Sequence, residues 1–145
     1  MSKIDEAVSC YNSGFNCSQA VLSTYGTEFG IDRDTALKLS TGFGGGMGRM
    51  GETCGAVTDA FMVLGLKYGK CIADDDNKRE RTYELVNEFS RRFEEKNGSI
   101  VCKNLLNCDI SIKAELIRAR DANLFKTLCP KMVGDAAEIL EEMLR

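Results

Sequence analysis

Seven cysteines, Cys10, Cys17, Cys54, Cys71, Cys102, Cys108 and Cys129, stand in a chain of 145 residues that has no histidine. Thiolates attack disulfides and bind soft metals. In a reducing cytoplasm structural disulfides are rare, so cysteine enrichment there leans toward metal binding or redox work. The bland alternative is that each cysteine is a small buried hydrophobe, a common fate of free thiols. The missing histidine removes a Ser-His-Asp triad, a Cys-His dyad, His-ligated zinc and His-ligated haem. Acid–base work falls to carboxylates, Lys, Tyr or Cys. No Cys-x-x-Cys spacing occurs, which excludes a thioredoxin motif and a zinc ribbon.

Position distinguishes four of the seven. Cys17 follows Asn16 where a helix is expected to start. Cys54 follows Thr53, the expected N-cap of another helix. Cys102 lies in the first turn or so after Ser99, and Cys129 precedes Pro130, a residue suited to the first helical turn. Unpaired N–H groups and the helix dipole at such places favour a thiolate over a thiol. Core filler has no reason to prefer helix starts, so the pattern points to a shared thiol site.

Just before Cys54 runs Gly42-Phe43-Gly44-Gly45-Gly46-Met47-Gly48-Arg49-Met50-Gly51-Glu52. Glycine at this density forbids an ordinary helix and predicts a loop with unusual backbone angles. The literal G-x-G-x-x-G at Gly46–Gly51 lacks the preceding strand and βαβ unit of a dinucleotide site. Two readings remain. Glycines let loop and helix backbones approach closely, or Gly44, Gly45, Gly46, Gly48 and Arg49 gather N–H groups and a cation around an anion. Since the loop cannot shield it with bulk, Cys54 is the thiol expected to ionise and react first.

The elements that must hold these residues are helical. A single proline and little strand-like alternation predict an all-α, single-domain bundle of about six to eight helices. A first helix runs from about Ile4 to Asn12 and stops at Gly14. A second starts at Asn16 and ends at Gly30. Asp32 caps a third. The segment Cys54–Tyr68, apolar on every side, predicts a buried central helix closed by Gly69. A long amphipathic helix follows Asp74-Asp75-Asp76, turns Tyr83, Val86, Phe89 and Phe93 inward, and ends at Asn97-Gly98. Ser99 begins a short helix, Asp109 or Ser111 caps another, and Cys129-Pro130 opens the last, whose stripe is Val133, Ala136, Ala137, Leu140, Met143 and Leu144.

Several segments together resemble a known family. They are Asn16-Cys17-Ser18-Gln19-Ala20-Val21-Leu22, the stretch from Gly42-Phe43-Gly44-Gly45-Gly46 to Cys54-Gly55-Ala56-Val57, Leu64-Gly65-Leu66-Lys67-Tyr68-Gly69, Cys102-Lys103-Asn104-Leu105-Leu106 and the late Cys129. In this order they resemble the C-GCAxxG-C-C family, described as redox-active proteins. The resemblance implies that Cys17, Cys54, Cys102 and Cys129 are the functional thiols and that Cys10, Cys71 and Cys108 are additional. The literal Gly-Cys-Ala-x-x-Gly is replaced by Cys54-Gly55-Ala56-Val57-Thr58-Asp59, with Asp59 where a small residue is expected.

Four functions fit these residues. The first is electron transfer through an iron–sulfur cluster on Cys17, Cys54, Cys102 and Cys129. The second is thiol–disulfide chemistry, with Cys54 as the low-pKa thiol and another cysteine resolving it. The third is a zinc- or iron-binding sensing module on the same thiols. The fourth is an anion-binding domain built on the Gly42–Gly51 loop. A redox protein, or a small-molecule electron donor or acceptor, is the expected partner. A net charge of -3 argues against nucleic acid. No apolar run reaches bilayer-spanning length and Met1–Glu6 has no signal core, so a cytoplasmic protein without a membrane role is expected. Enzyme or carrier, monomer or homo-oligomer: both questions stay open at this level.

Overall fold

A computed structural model describes all residues, 1–145. Eight α-helices of five or more residues carry the fold: α1 (Lys3–Asn12), α2 (Cys17–Tyr25), α3 (Arg33–Ser40), α4 (Gly55–Tyr68), α5 (Asp76–Asn97), α6 (Cys102–Leu106), α7 (Lys113–Asp121) and α8 (Cys129–Met143). Short helical turns at Gly26–Phe29, Thr41–Phe43 and Leu124–Thr127 join them. No strand forms; the one β-bridge pairs Thr53 with Val101. The protein is all-α, as its patterning predicts.

Local signals explain most of the boundaries. Asn16 caps α2 in a reciprocal box: its side chain accepts from Gln19 N at 2.9 Å, and Gln19 Oε1 accepts from Asn16 N at 3.0 Å. Asp32 accepts from Thr35 N to start α3, and Asp75 accepts from Lys78 N to start α5. The α7 start departs from expectation. Asp109 spends its carboxylate on Ser111, at 3.1 Å from N, and Ile112 takes the N-cap position with no side-chain bond. Tyr83 also departs, being exposed, because the inward stripe of α5 is Leu85, Phe89 and Phe93 at a spacing of four.

The main core joins α1, α2, α4, α5 and α8. Phe89 meets Phe61 edge-on at 5.9 Å and stacks with Phe93 at 6.2 Å. Leu22, Tyr25, Leu64, Ile139 and Leu140 fill the space between helices and are fully buried. The central helix α4 packs most extensively on α2. Of the two, α2 is the more enclosed, with every residue except Gln19 buried, whereas Leu66 and Lys67 of α4 reach solvent. A smaller cluster of Cys102, Leu106, Cys108, Ile110 and Ala119 closes the side formed by α6 and α7. No helix is long and apolar enough to cross a membrane.

Candidate functional site: a thiol cavity

The glycine loop adopts a left-handed turn. Five consecutive residues, Gly45 to Arg49, have φ between 57° and 69°. Met47 and Arg49 carry side chains in this conformation, at a cost of roughly 1–2 kcal/mol each. The turn is held from within, because Gly48, Gly51 and Glu52 donate to the carbonyls of Gly42, Gly45 and Gly46, each six residues back, at 2.8, 3.1 and 3.0 Å. The N–H groups of Gly48, Arg49, Met50, Gly51 and Glu52 all bond loop carbonyls.

The end of the loop is then clamped to the start of α6. Around the Thr53–Val101 bridge, Cys54 N donates to Ile100 O at 2.8 Å and Cys102 N to Glu52 O at 2.6 Å. This pairing draws Thr53 away from α4, so Cys54 itself is the N-cap of that helix rather than a residue of its first turn. Close contact explains two glycines. A Cβ on Gly46 would lie 2.6 Å from Glu52 N and 2.7 Å from Cys102 Cβ. One on Gly55 would press on Ser18 Oγ and come within 2.8 Å of both Cys17 Sγ and Phe43 O.

These constraints bring four helix starts to one place. Cys17, Cys102 and Cys129 are the first residues of α2, α6 and α8, and Cys54 precedes α4. All four line one cavity of about 460 Å³, along with Gly44, Gly45, Gly46, Gly48 and Arg49 of the loop. Cys17, Cys54 and Cys102 are buried at its floor, and Cys129 is half-buried. The other cysteines lie elsewhere. Cys71 is exposed beyond α4, Cys10 faces Ser23 Oγ at 3.6 Å, and Cys108 donates to Glu115 O at 3.2 Å.

Cys17 and Cys54 are both buried and ionise as a pair with one thiolate between them, and the backbone donors favour placing it on Cys17. The Cys54 thiol is in hydrogen-bonding reach of the Cys17 sulfur, which lowers the Cys17 pKa to about 7. Backbone N–H groups of Gly45, Ala56 and Ser18 add to this and overcome the cost of burial. The same bond to Cys17, together with burial, pushes the Cys54 thiol well up, and only the Ala56 N–H works against this. Expecting Cys54 to carry the charge placed it inside the α4 dipole and out in solvent. It caps the helix instead, and it is buried. Arg49 is exposed at the cavity rim and is not among the causes of either shift. Burial, then the Cys17 charge, pushes Cys102 up to about 12 and Cys129 up to about 11. No group of three or more Cys, Asp or Glu side chains is arranged as ligands around a common point.

Two residues at or beside the cavity, Tyr11 and Arg120, carry no recognisable sequence signal, and a third, Asp59, shows in the sequence only as a departure from the motif. Tyr11, whose hydroxyl donates to Phe125 O at 2.6 Å, lines the cavity beside Cys129. Arg120 lines the cavity from the end of α7. Asp59 is wholly buried beneath Cys17, in the position where the motif resemblance leads one to expect a small residue. Burial raises its pKa from 3.8 to about 8, the Cys17 charge adds to the rise, and Ser18 and Thr58 oppose it. Its Oδ2 and the neighbouring Ser18 Oγ are both buried without a formed hydrogen bond.

Comparison with known proteins gives one match. The family described as "Putative redox-active protein (C_GCAxxG_C_C)" covers residues 15–143. No curated protein and no solved structure matches the chain. The match begins just before the Asn16 cap and ends with α8, so it takes in the loop, all four helix starts and the cavity between them. The chain belongs to the C_GCAxxG_C_C family of redox-active proteins.

Proposed function

We propose that the protein performs thiol–disulfide exchange at the Cys17–Cys54 pair. The observation that carries this reading is the pair itself: Cys17 and Cys54 are both buried and line one cavity, where the ionisation of each depends on the other. The Cys17 thiolate attacks one sulfur of a substrate disulfide, and the other sulfur leaves as a thiolate. The Cys54 thiol then gives up its proton and its sulfur attacks Cys17, forming a Cys17–Cys54 disulfide and releasing the second thiolate. One disulfide is reduced to two thiols, and the protein dithiol is oxidised by two electrons. Asp59 supports the step as a buried group near Cys17 that titrates close to neutrality and can store a proton. Cys102 and Cys129 line the same cavity as thiols at neutral pH; exchange with them would reduce the Cys17–Cys54 disulfide and leave a Cys102–Cys129 disulfide for an external thiol reductant to reopen. Such work belongs in a reducing, cytoplasmic setting.

The test is mass mapping after brief oxidation by a small disulfide. The expected product is lighter by two hydrogen atoms and links the Cys17 and Cys54 peptides. Linkage confined to Cys10, Cys71 or Cys108 overturns the reading.

A second reading assigns the four thiols to an iron–sulfur cluster. Its support is the donor set of four cysteines at helix starts around one cavity; against it, no three of those side chains converge as ligands on a common point. Iron and acid-labile sulfide in protein purified without oxygen would favour it, and their absence would leave the exchange reading.

A further inference from the structure

The walls of the thiol cavity carry charge of one sign. The chain has 22 acidic and 19 basic residues, yet no Asp or Glu lines the cavity, and its only charged lining residues are Arg49 and Arg120. Most arginines on this protein are occupied: Arg79, Arg81, Arg91, Arg92 and Arg118 each pair with a carboxylate. Neither the Arg49 nor the Arg120 side chain makes an ion pair or a hydrogen bond with another residue, so both guanidinium forks are free and exposed. Arg49 is also held in a left-handed backbone conformation that a glycine would adopt without strain. Below the two forks, Phe15, Leu105, Leu106 and Phe125 give the cavity an apolar wall leading to buried sulfurs.

We infer that this site selects a small, anionic disulfide, one carrying carboxylates, over neutral or cationic disulfides and over protein partners. The inference rests on the exchange reading of the Cys17–Cys54 pair. Recessed sulfurs exclude a disulfide embedded in a folded protein, whereas about 460 Å³ suits a small molecule. A planar, bidentate guanidinium matches a carboxylate. Two of them also offset the repulsion that the Cys17 thiolate exerts on an incoming anion, and a cleft lined by charge of one sign focuses that attraction. The reaction is the exchange written above: the substrate disulfide takes two electrons from the protein dithiol and leaves as two mercapto acids.

The experiment uses three disulfides of similar size: bis(2-carboxyethyl) disulfide, bis(2-hydroxyethyl) disulfide and cystamine. Each oxidises the reduced full-length protein in a single turnover, followed by mass, and each rate is divided by that with a free small thiol. The anionic disulfide is expected to lead the neutral one by about tenfold or more, with cystamine slowest, and added salt should shrink the lead. Arg49→Gln with Arg120→Gln should collapse the ratio to within about twofold, the Lys pair should keep part of it, and Arg120→Glu should turn the preference toward cystamine. Equal normalised rates, or an anionic preference that persists in the double Gln variant, overturn the inference and leave the exchange reading standing. Failure of all three disulfides to link Cys17 with Cys54 overturns both.

Discussion

A sulfur atom cut off from water is ordinarily driven to its neutral form, so the charge favoured on Cys17 has to come from its donors. Three backbone N–H groups and one thiol supply them, and the thiol contributes most. Replacing Cys54 by Ala should therefore raise the Cys17 pKa by about one unit or more, an interaction of roughly 1.4 kcal/mol per unit. Thiolate absorbance near 240 nm, followed against pH, would read the shift. A titration midpoint near 7 that stays put in the variant would contradict the bond. Asp59 makes a separate prediction. Its carboxyl is ordinary in the unfolded chain but titrates at about 8 when folded. Between those values the folded state holds more protons, so stability is greatest below about pH 4 and falls as pH rises toward 8. Asp59→Asn removes that slope. Denaturant midpoints of the variant should be flatter than wild type between pH 4 and 8, with the gain largest at pH 8.

At the level of elements, the site is a meeting of helix starts held by one strained loop. The Asn16–Gln19 box fixes the start of α2, and with it Cys17. Asn16→Ala should cost about 1 kcal/mol in unfolding free energy. It also removes the bond from Asn16 Nδ2 to Thr41 O and so loosens the neighbouring turn. Gly55 is the tighter constraint. A methyl there collides with Ser18 and Cys17 together, on a helix whose neighbours are buried backbone and side chains. Gly55→Ala should be destabilising by roughly 1–3 kcal/mol, as overpacking commonly is, and should slow alkylation of Cys17 at pH 7. An unchanged melting temperature and an unchanged Cys17 rate would show that α2 and α4 do not approach as described. The loop itself stores strain at Met47 and Arg49, and its six-residue-back hydrogen bonds repay part of it.

For the whole molecule, oxidation and folding are linked. A Cys17–Cys54 disulfide joins α2 to α4, the two helices at the centre of the bundle, across a long intervening segment. Loop-closure entropy for such a segment is worth roughly 4 kcal/mol before any strain. The oxidised protein should melt several degrees higher than the reduced one, and Cys17→Ser should abolish the difference. Calorimetry with and without a reductant would measure it. A fall in melting temperature on oxidation would mean that the pair closes only by distorting the bundle.

The chain alone established the helices and the caps at Asn16, Asp32 and the Asp74–Asp76 run, and it singled out four cysteines by position, because each of these signals is local: a cap needs three or four residues, and a buried stripe needs one turn. The same locality made the glycine loop visible. It did not reveal that Thr53 pairs with Val101, a contact between residues 48 apart in sequence, and so it did not reveal that Cys54 caps α4 instead of entering it. That shift buries Cys54 beside Cys17, and the N–H groups of Gly45 and Ala56 favour the charge on Cys17. Arg120 and Tyr11 were equally hidden, since an arginine on a charged helix and a tyrosine in α1 acquire meaning only from what folds against them; Asp59 stood out as a departure from the motif, but its burial beside Cys17 did not. Sequence determined which atoms were available for redox chemistry. Tertiary packing decided their protonation, because a pKa is set by the donors and charges within a few ångströms, and here those come from four different segments of the chain.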